Sequence, residues 1–174
     1  FYHDAAAAIV IDGRLVAAAA EERFSRIKHD SELPVMAARF CLERAGININ
    51  DLDYITFYDK PITKFDRILT GYIATPFRSY RPFLQALPMW LRRKLWTDHI
   101  IHKELEYDGE VLYLPHHLSH AAGTFYTPPF DKAAILTVDG VGEWANASWG
   151  IGENNRVRLM AEMHYPHSVG LLYS

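Results

Sequence analysis

The 174-residue sequence has very little cysteine, no excess of either charge and no long apolar run. Its single cysteine, Cys41, cannot form a disulfide within the chain, which favours a reducing, cytoplasmic compartment. Lys and Arg number 18 against 21 Asp and Glu, so the basic balance typical of proteins that bind nucleic acid or anionic membranes is missing. The longest clean apolar stretch, residues 5–11, is far shorter than the roughly 20 residues of a membrane-spanning helix. We therefore expect no nucleic-acid partner and no membrane partner.

Both ends of the sequence lack the features of a complete protein. No Met precedes Phe1, no signal peptide is present, and Ser174 follows a Gly-containing turn where a new apolar run has barely started. The composition, with 49% hydrophobic residues, is nevertheless that of a folded domain with a buried core and not of a disordered segment. We expect the chain to be part of a longer protein.

Strand and helix patterns alternate along the chain, which predicts an α/β fold with a mixed β-sheet flanked by helices. Apolar runs on both sides of Asp12-Gly13 predict a β-hairpin, and the charged segment 21–34 predicts a loop. Residues 35–45 predict a helix that ends at Gly46, and residues 62–105 predict two or three helices in a variable insertion. Further strands are predicted at 53–58, 111–114, 133–138, 147–151 and 157–164, and a helix at 116–126.

The sharpest chemical signal is the run His116-His117-Leu118-Ser119-His120. His116 and His120 are four residues apart, so on a helix their rings share one face and lie close enough to share a metal ion. Asp139, at the end of a predicted buried strand, could add an oxygen ligand, and two imidazoles with a carboxylate suit Fe or Zn. A polar helix N-terminus is the alternative interpretation. The metalloprotease pattern His-Glu-x-x-His is absent, because no Glu follows His116.

Three weaker signals accompany these histidines. Gly140 and Gly142 allow backbone amides to turn toward a phosphate, although a plain hairpin turn would use them equally well. His3, beside Asp4 at the mouth of the first strand, could act as a general base near neutral pH or simply lie on the surface. The segment 21–29 clusters cations, which suits an anionic substrate but is also typical of a solvated loop.

Taken together, the sequence resembles the nodulation and antibiotic O-carbamoyltransferases from one end to the other. Residues 62–105 carry the least resemblance. The motifs that carry it are Tyr2-His3-Asp4-Ala5, Glu21-Glu22-Arg23-Phe24-Ser25-Arg26 with Lys28-His29, Phe57-Tyr58-Asp59-Lys60-Pro61, His116-His117-Leu118-Ser119-His120-Ala121, Thr137-Val138-Asp139-Gly140-Val141-Gly142-Glu143 and Ser168-Val169-Gly170-Leu171-Leu172-Tyr173-Ser174.

The resemblance implies that residues 1–174 are the N-terminal lobe of a domain with the actin/sugar-kinase/Hsp70 (ribonuclease H-like) fold. This is the type of domain shared with the tRNA threonylcarbamoyl-transfer enzymes, here with a helical insertion at about 62–105. A second lobe and a YrdC-like domain are then expected outside this chain. The YrdC-like domain would join carbamoyl phosphate and ATP into carbamoyl-adenylate. The first domain would move the carbamoyl group to a hydroxyl of a sugar, an antibiotic or another small molecule.

The same resemblance implies a role for particular residues. His116, His120 and Asp139 would bind a divalent metal, with iron favoured over zinc or magnesium. His3 would take the proton of the acceptor hydroxyl, and Lys28 would contact the carbamoyl or phosphate end. Gly140 and Gly142 would lie against the nucleotide.

The expected partners are a nucleotide and a small-molecule hydroxyl acceptor, and a homodimer is left open. The chain alone is expected to be an inactive fragment. Two alternatives from other classes also stay open. One is a non-catalytic nucleotide-binding module of the same fold, and the other is a metal-dependent hydrolase, which would need an acidic base beside the metal.

Overall fold

In a computed structural model of the protein, residues 4–74 and 76–173 are described, with side chains described outside 74–82. Strands and helices alternate along these residues, as the sequence predicts. The strands are β1 (Ala6–Ile11), β2 (Arg14–Ala20), β3 (Tyr54–Phe57), β4 (Glu110–Tyr113), β5 (Lys132–Val138), β6 (Ala145–Glu153) and β7 (Arg156–His164). The helices are α1 (Glu22–Ser25), α2 (Val35–Ala45), α3 (Pro61–Ala74), α4 (Pro76–Arg92), α5 (Thr97–Leu105), α6 (His116–Phe125) and α7 (Val169–Tyr173). Within this part of the chain, no helix combines the length and the apolarity needed to cross a membrane.

The described strands form three sheets, whereas the sequence predicts one mixed sheet. β1 pairs with β2, β3 pairs with β4, and β5, β6 and β7 form an antiparallel sheet in that order. The first and third of these sheets consist of strands that follow one another along the chain. Such strands pair antiparallel through short connections, whereas parallel pairing needs a long crossover. The α/β class is therefore confirmed, and the actin-like lobe stays a prediction.

The chain divides into two compact units, and boundaries between them lie inside β3 and inside β4. The first unit contains residues 1–55 and 96–111, and the second contains residues 56–95 and 112–174. The helices of the predicted insertion are present, but they belong to different units. α3 and α4 lie in the second unit and α5 lies in the first.

The first unit contains the β1–β2 hairpin covered by α2. Asp12 and Gly13 both have positive φ angles, 49° and 74°, which is the backbone conformation that the predicted tight turn requires. α2 ends at Gly46, whose φ of 69° places it in the left-handed region, as expected for a helix stop. The hairpin and the end of α2 are thus confirmed. Buried residues in these elements include Ile9, Ala37 and Cys41.

The predicted loop 21–34 is wrong at its start, where residues 22–25 form α1 and Glu21 is buried. Only 4% of Glu21 is exposed. Its carboxylate oxygens accept hydrogen bonds from the backbone amides of Met36, at 3.1 Å, and Ala37, at 2.7 Å. These amides belong to the first turn of α2, where backbone donors have no partner within the helix. A carboxylate at this end of a helix is also favoured by the helix dipole. Glu21 therefore caps α2 from the end of β2.

The second unit is centred on α6, which packs against the sheet β5–β6–β7. Ala121 and Phe125 on α6 form a buried cluster with Ile135 on β5. Gly152 on β6 faces this cluster, and a Cβ at that position would fall on the ring of Phe125. The close approach fixes α6 on the sheet, with its first turn beside the loop that follows β5.

The cap on α2 can be tested with the substitution Glu21→Ala. The loss of the carboxylate leaves two buried amides without an acceptor, which costs about 1–3 kcal/mol. We expect hydrogen exchange of the amides at the start of α2 to become roughly 5- to 100-fold faster in the full-length protein. The control Glu43→Ala, at an exposed position of the same helix, should leave exchange unchanged. Equal exchange in the two variants would show that Glu21 does not stabilise the helix.

Candidate metal centre

His116, His120 and Asp139 meet at one point in the second unit, as their spacing predicts. The two histidines lie one turn apart on α6, and Asp139 follows β5 directly. The Nε2 atom of His116 lies 2.8 Å from Oδ2 of Asp139 and 3.2 Å from Nε2 of His120. One ligand atom of each residue lies within 4.8 Å of the other two.

The two separations from His116 Nε2 fit the spacing of ligand atoms around a divalent metal ion. Metal–ligand distances of about 2.0–2.1 Å with tetrahedral angles place neighbouring ligand atoms about 3.3 Å apart. The observed separations of 2.8 and 3.2 Å are close to that value. Two imidazole nitrogens that face each other also need a proton or a metal ion between them, because their lone pairs repel. The donor set therefore suits iron or zinc.

The electrostatics favour the protonation states in which Asp139 and His120 bind metals. The hydrogen bond with His116 lowers the pKa of Asp139 to about 2, so this carboxylate is ionised near neutral pH. Burial, followed by the effect of the neighbouring His116, lowers the pKa of His120 and favours its neutral imidazole. Metals bind ionised carboxylates and neutral imidazoles.

His117, between the two ligand histidines, points into the protein. It is 3% exposed, and its Nδ1 atom lies 2.8 Å from Oγ1 of Thr137 and 3.0 Å from Oγ of Ser148. Thr137 belongs to β5 and Ser148 to β6, so this ring ties α6 to two strands of the sheet. His117 is not among the site residues predicted from the sequence. The helical period could have indicated its inward position, because adjacent residues of a helix cannot share one face and His117 must therefore point away from the face of His116 and His120.

Glu143 holds the loop after β5 against the start of α6. Glu143 is 8% exposed, and its carboxylate accepts hydrogen bonds from the backbone amides of Lys60 and His116. Burial raises the pKa of this carboxyl group. Glu143 ends a glycine-rich motif of the sequence, but it is not among the predicted site residues. The structure identifies it as a cap on α6 that also fixes the chain in front of α3.

The two glycines of the same loop differ in their surroundings. A Cβ on Gly142 would fall on the carbonyl oxygen of Ala145 and lie 3.2 Å from Nε2 of His117. A Cβ on Gly140 would meet only Cδ2 of Leu171, at an ordinary contact distance of 3.8 Å. Gly142 is therefore required by local packing, whereas Gly140 is not. Contact of either glycine with a nucleotide stays a prediction.

The remaining predicted site residues belong to the first unit or lie outside the described residues. Lys28 is exposed on the loop after α1, in the first unit, whereas the metal centre lies in the second. Its predicted contact with the carbamoyl or phosphate end stays a prediction. His3 lies outside the described residues, so its predicted role as a base also stays a prediction.

The chain as a whole is similar to a known protein family. Residues 1–174 match the family model described as the carbamoyltransferase N-terminus. An uncharacterized protein of Synechocystis sp. is 46% identical over 182 residues, which cover 100% of this chain and 30% of that protein. The nodulation protein NolNO of Sinorhizobium fredii is 34% identical over 179 residues, which cover 99% of this chain and 25% of that protein. The chain thus spans less than a third of the length of these curated relatives.

The different surroundings of the two glycines can be tested with Gly142→Ala and Gly140→Ala in the full-length protein. The Gly142→Ala side chain would displace the loop between Asp139 and Ala145 and push on His117. We expect this variant to lose most of its bound metal and to melt at a lower temperature. The matched control Gly140→Ala should keep both properties. Equal metal content in the two variants would contradict the packing role of Gly142.

The three-residue centre itself can be tested with His120→Ala. Removal of one of the three candidate ligands should lower the amount of iron that the full-length protein retains after loading with ferrous iron, measured by elemental analysis, at least roughly tenfold. The control His99→Ala changes an exposed histidine on α5 and should keep the metal. An unchanged iron content in His120→Ala would exclude this residue as a ligand.

Proposed function

The chain belongs to the carbamoyltransferase N-terminus family, and from this membership we propose that the longer protein containing it is an O-carbamoyltransferase. In the proposed reaction, carbamoyl phosphate, ATP and water are converted to carbamoyl-adenylate, inorganic phosphate and pyrophosphate. The carbamoyl group then passes to a hydroxyl of a sugar, an antibiotic or another small molecule. The observation that carries the proposal is the convergence of His116, His120 and Asp139 at one point in a chain of this family.

These three residues would hold the metal ion, for which we favour iron over zinc or magnesium. When bound, such an ion supplies Lewis-acid stabilisation of negative charge on phosphate oxygens. Asp139 is ionised at neutral pH and His120 is neutral, so neither ligand has to change its protonation state to bind it. Gly140 and Gly142, in the loop directly after Asp139, would lie against the nucleotide.

The transfer step needs a base for the acceptor hydroxyl, and we assign this role to His3. As the hydroxyl oxygen attacks the carbamoyl carbon, the bond from that carbon to the adenylate oxygen breaks and AMP leaves. The proton of the hydroxyl would pass to the imidazole of His3, whose ordinary pKa suits a base near neutral pH. Lys28 would contact the carbamoyl or phosphate end of the adenylate.

Two other functions have less support. A metal-dependent hydrolase needs an acidic base beside the metal, and the carboxylate of Glu143 is instead engaged by two backbone amides. A non-catalytic nucleotide-binding module would have no need of a base such as His3. We also propose that this chain is one lobe of an actin-like domain. The second lobe and a YrdC-like domain would then lie elsewhere in the longer protein.

The proposal is tested on the full-length protein with carbamoyl phosphate, ATP and ferrous iron. Pyrophosphate release without any acceptor is expected, because adenylate formation precedes transfer. The His3→Ala variant should release pyrophosphate normally but transfer the carbamoyl group roughly 10²- to 10⁴-fold more slowly. Transfer is measured by mass spectrometry on a panel of sugars and other small hydroxyl compounds.

The control for His3 is His99→Ala, which should support both reactions at wild-type rates. Normal carbamoyl transfer by His3→Ala would remove this residue from the mechanism. The absence of pyrophosphate release, with metal and ATP both bound, would instead favour the nucleotide-binding module.

A further inference from the structure

Arg67 is a buried cation without a carboxylate partner in the described part of the chain. It lies on α3, in the second unit, and is 7% exposed. Its Nε atom is buried and makes no hydrogen bond, and no described Asp or Glu forms an ion pair with it. The guanidinium carbon lies 5.3 Å from the centre of the Tyr165 ring.

A buried arginine in this state is energetically unfavourable. Charged groups that leave water are normally paired with an opposite charge and have their hydrogen bonds satisfied. The face of an aromatic ring compensates only part of the lost hydration. The guanidinium therefore retains unsatisfied donors, which an anion from outside the chain would satisfy.

The position of Arg67 points to the metal centre. α3 begins directly after Lys60, whose amide donates to Glu143, and Glu143 also accepts the amide of His116. Burial lowers the pKa of Arg67, whereas the charges of Tyr165 and Asp139 act in the opposite direction. The backbone amide of Tyr165, whose ring Arg67 faces, donates to the carbonyl oxygen of Trp144 at 2.9 Å. Trp144 belongs to the loop that follows the candidate ligand Asp139, so Arg67 lies beside the loop that carries a metal ligand.

We propose that Arg67 binds an anionic phosphate oxygen of a substrate held beside the metal centre. The planar guanidinium presents parallel N–H donors that match phosphate oxygens. The proposal rests on the proposed function, because that reaction brings phosphate groups to this centre. The phosphate could belong to the nucleotide or to a smaller phosphate compound, and the two sources are separable by experiment.

The test measures binding of AMP, adenosine and inorganic phosphate to the metal-loaded full-length protein by calorimetry. Arg67→Gln should weaken AMP binding roughly 10- to 100-fold, because a charge-assisted hydrogen bond is lost. Adenosine affinity and metal content should not change. The control Arg156→Gln, at an exposed position on β7, should bind all three compounds like the wild type. A parallel loss of inorganic phosphate binding would identify the smaller phosphate compound as a further ligand.

If Arg67 has only a structural role, its substitution should change the stability of the protein and not its AMP affinity. Arg67→Gln would then lower the melting temperature and leave AMP affinity within twofold of the wild type, which would overturn the proposal. Removal of an uncompensated buried charge should instead leave the melting temperature unchanged or raise it. If Arg67→Gln does not fold, Arg67→Lys keeps the charge but loses the planar donor pair. Weaker AMP binding by that variant supports the proposal, and unchanged binding contradicts it.

These outcomes are separable from failure of the proposed function. A wild-type protein that releases no pyrophosphate but whose phosphate affinity depends on Arg67 would refute the carbamoyl-transfer reaction and retain the anion site. If the wild-type protein transfers the carbamoyl group and the Arg67→Gln variant binds AMP with normal affinity, the carbamoyl-transfer reaction is supported and the anion site is refuted. A wild-type protein that binds neither AMP nor phosphate would overturn the anion site.

Discussion

The hydrogen bond between His116 Nε2 and Asp139 Oδ2, 2.8 Å long, joins the two chain segments that carry the candidate metal ligands. His116 opens α6 and Asp139 directly follows β5, so the contact depends on the placement of a helix relative to a strand. It also holds the pKa of Asp139 at about 2. A metal ion at this point would replace the shared proton and use the same two atoms. The contact thus keeps Asp139 in the ionised form that binds metals, and it joins the loop after β5 to the start of α6.

Contacts at three places along α6 hold the helix so that this hydrogen bond forms. On its inner side His117 reaches the hydroxyl groups of Thr137 and Ser148. At its N-terminus Glu143 accepts the amide of His116. Further along, Phe125 packs into the space that Gly152 leaves open. Apolar packing therefore sets the position of the helix, and buried hydrogen bonds set the rotation that brings His116 and His120 to Asp139.

Local features of this structure could be predicted from the sequence, but features that depend on tertiary contacts could not. The period of a helix places His116 and His120 together, and the Asp12-Gly13 pair predicts its hairpin. The caps supplied by Glu21 and Glu143 come from segments distant in sequence, so no local pattern reveals them. Gly140 and Gly142 look equivalent in the sequence and differ only in their neighbours. The predicted mixed sheet fails for the same reason, because strand composition does not determine which strands pair.

Arg67 lies outside the motifs that carry the family resemblance, but one of these motifs fixes the start of the helix to which Arg67 belongs. α3 starts at Pro61, the last residue of the motif Phe57-Tyr58-Asp59-Lys60-Pro61. Two contacts fix that start: the amide of Lys60 donates to Glu143, and Lys64 pairs with buried Asp59 at 2.8 Å. Since a helix is rigid over two turns, fixing its first turn also fixes the direction of later residues. The contacts of the motif therefore help to position Arg67, although Arg67 lies outside it.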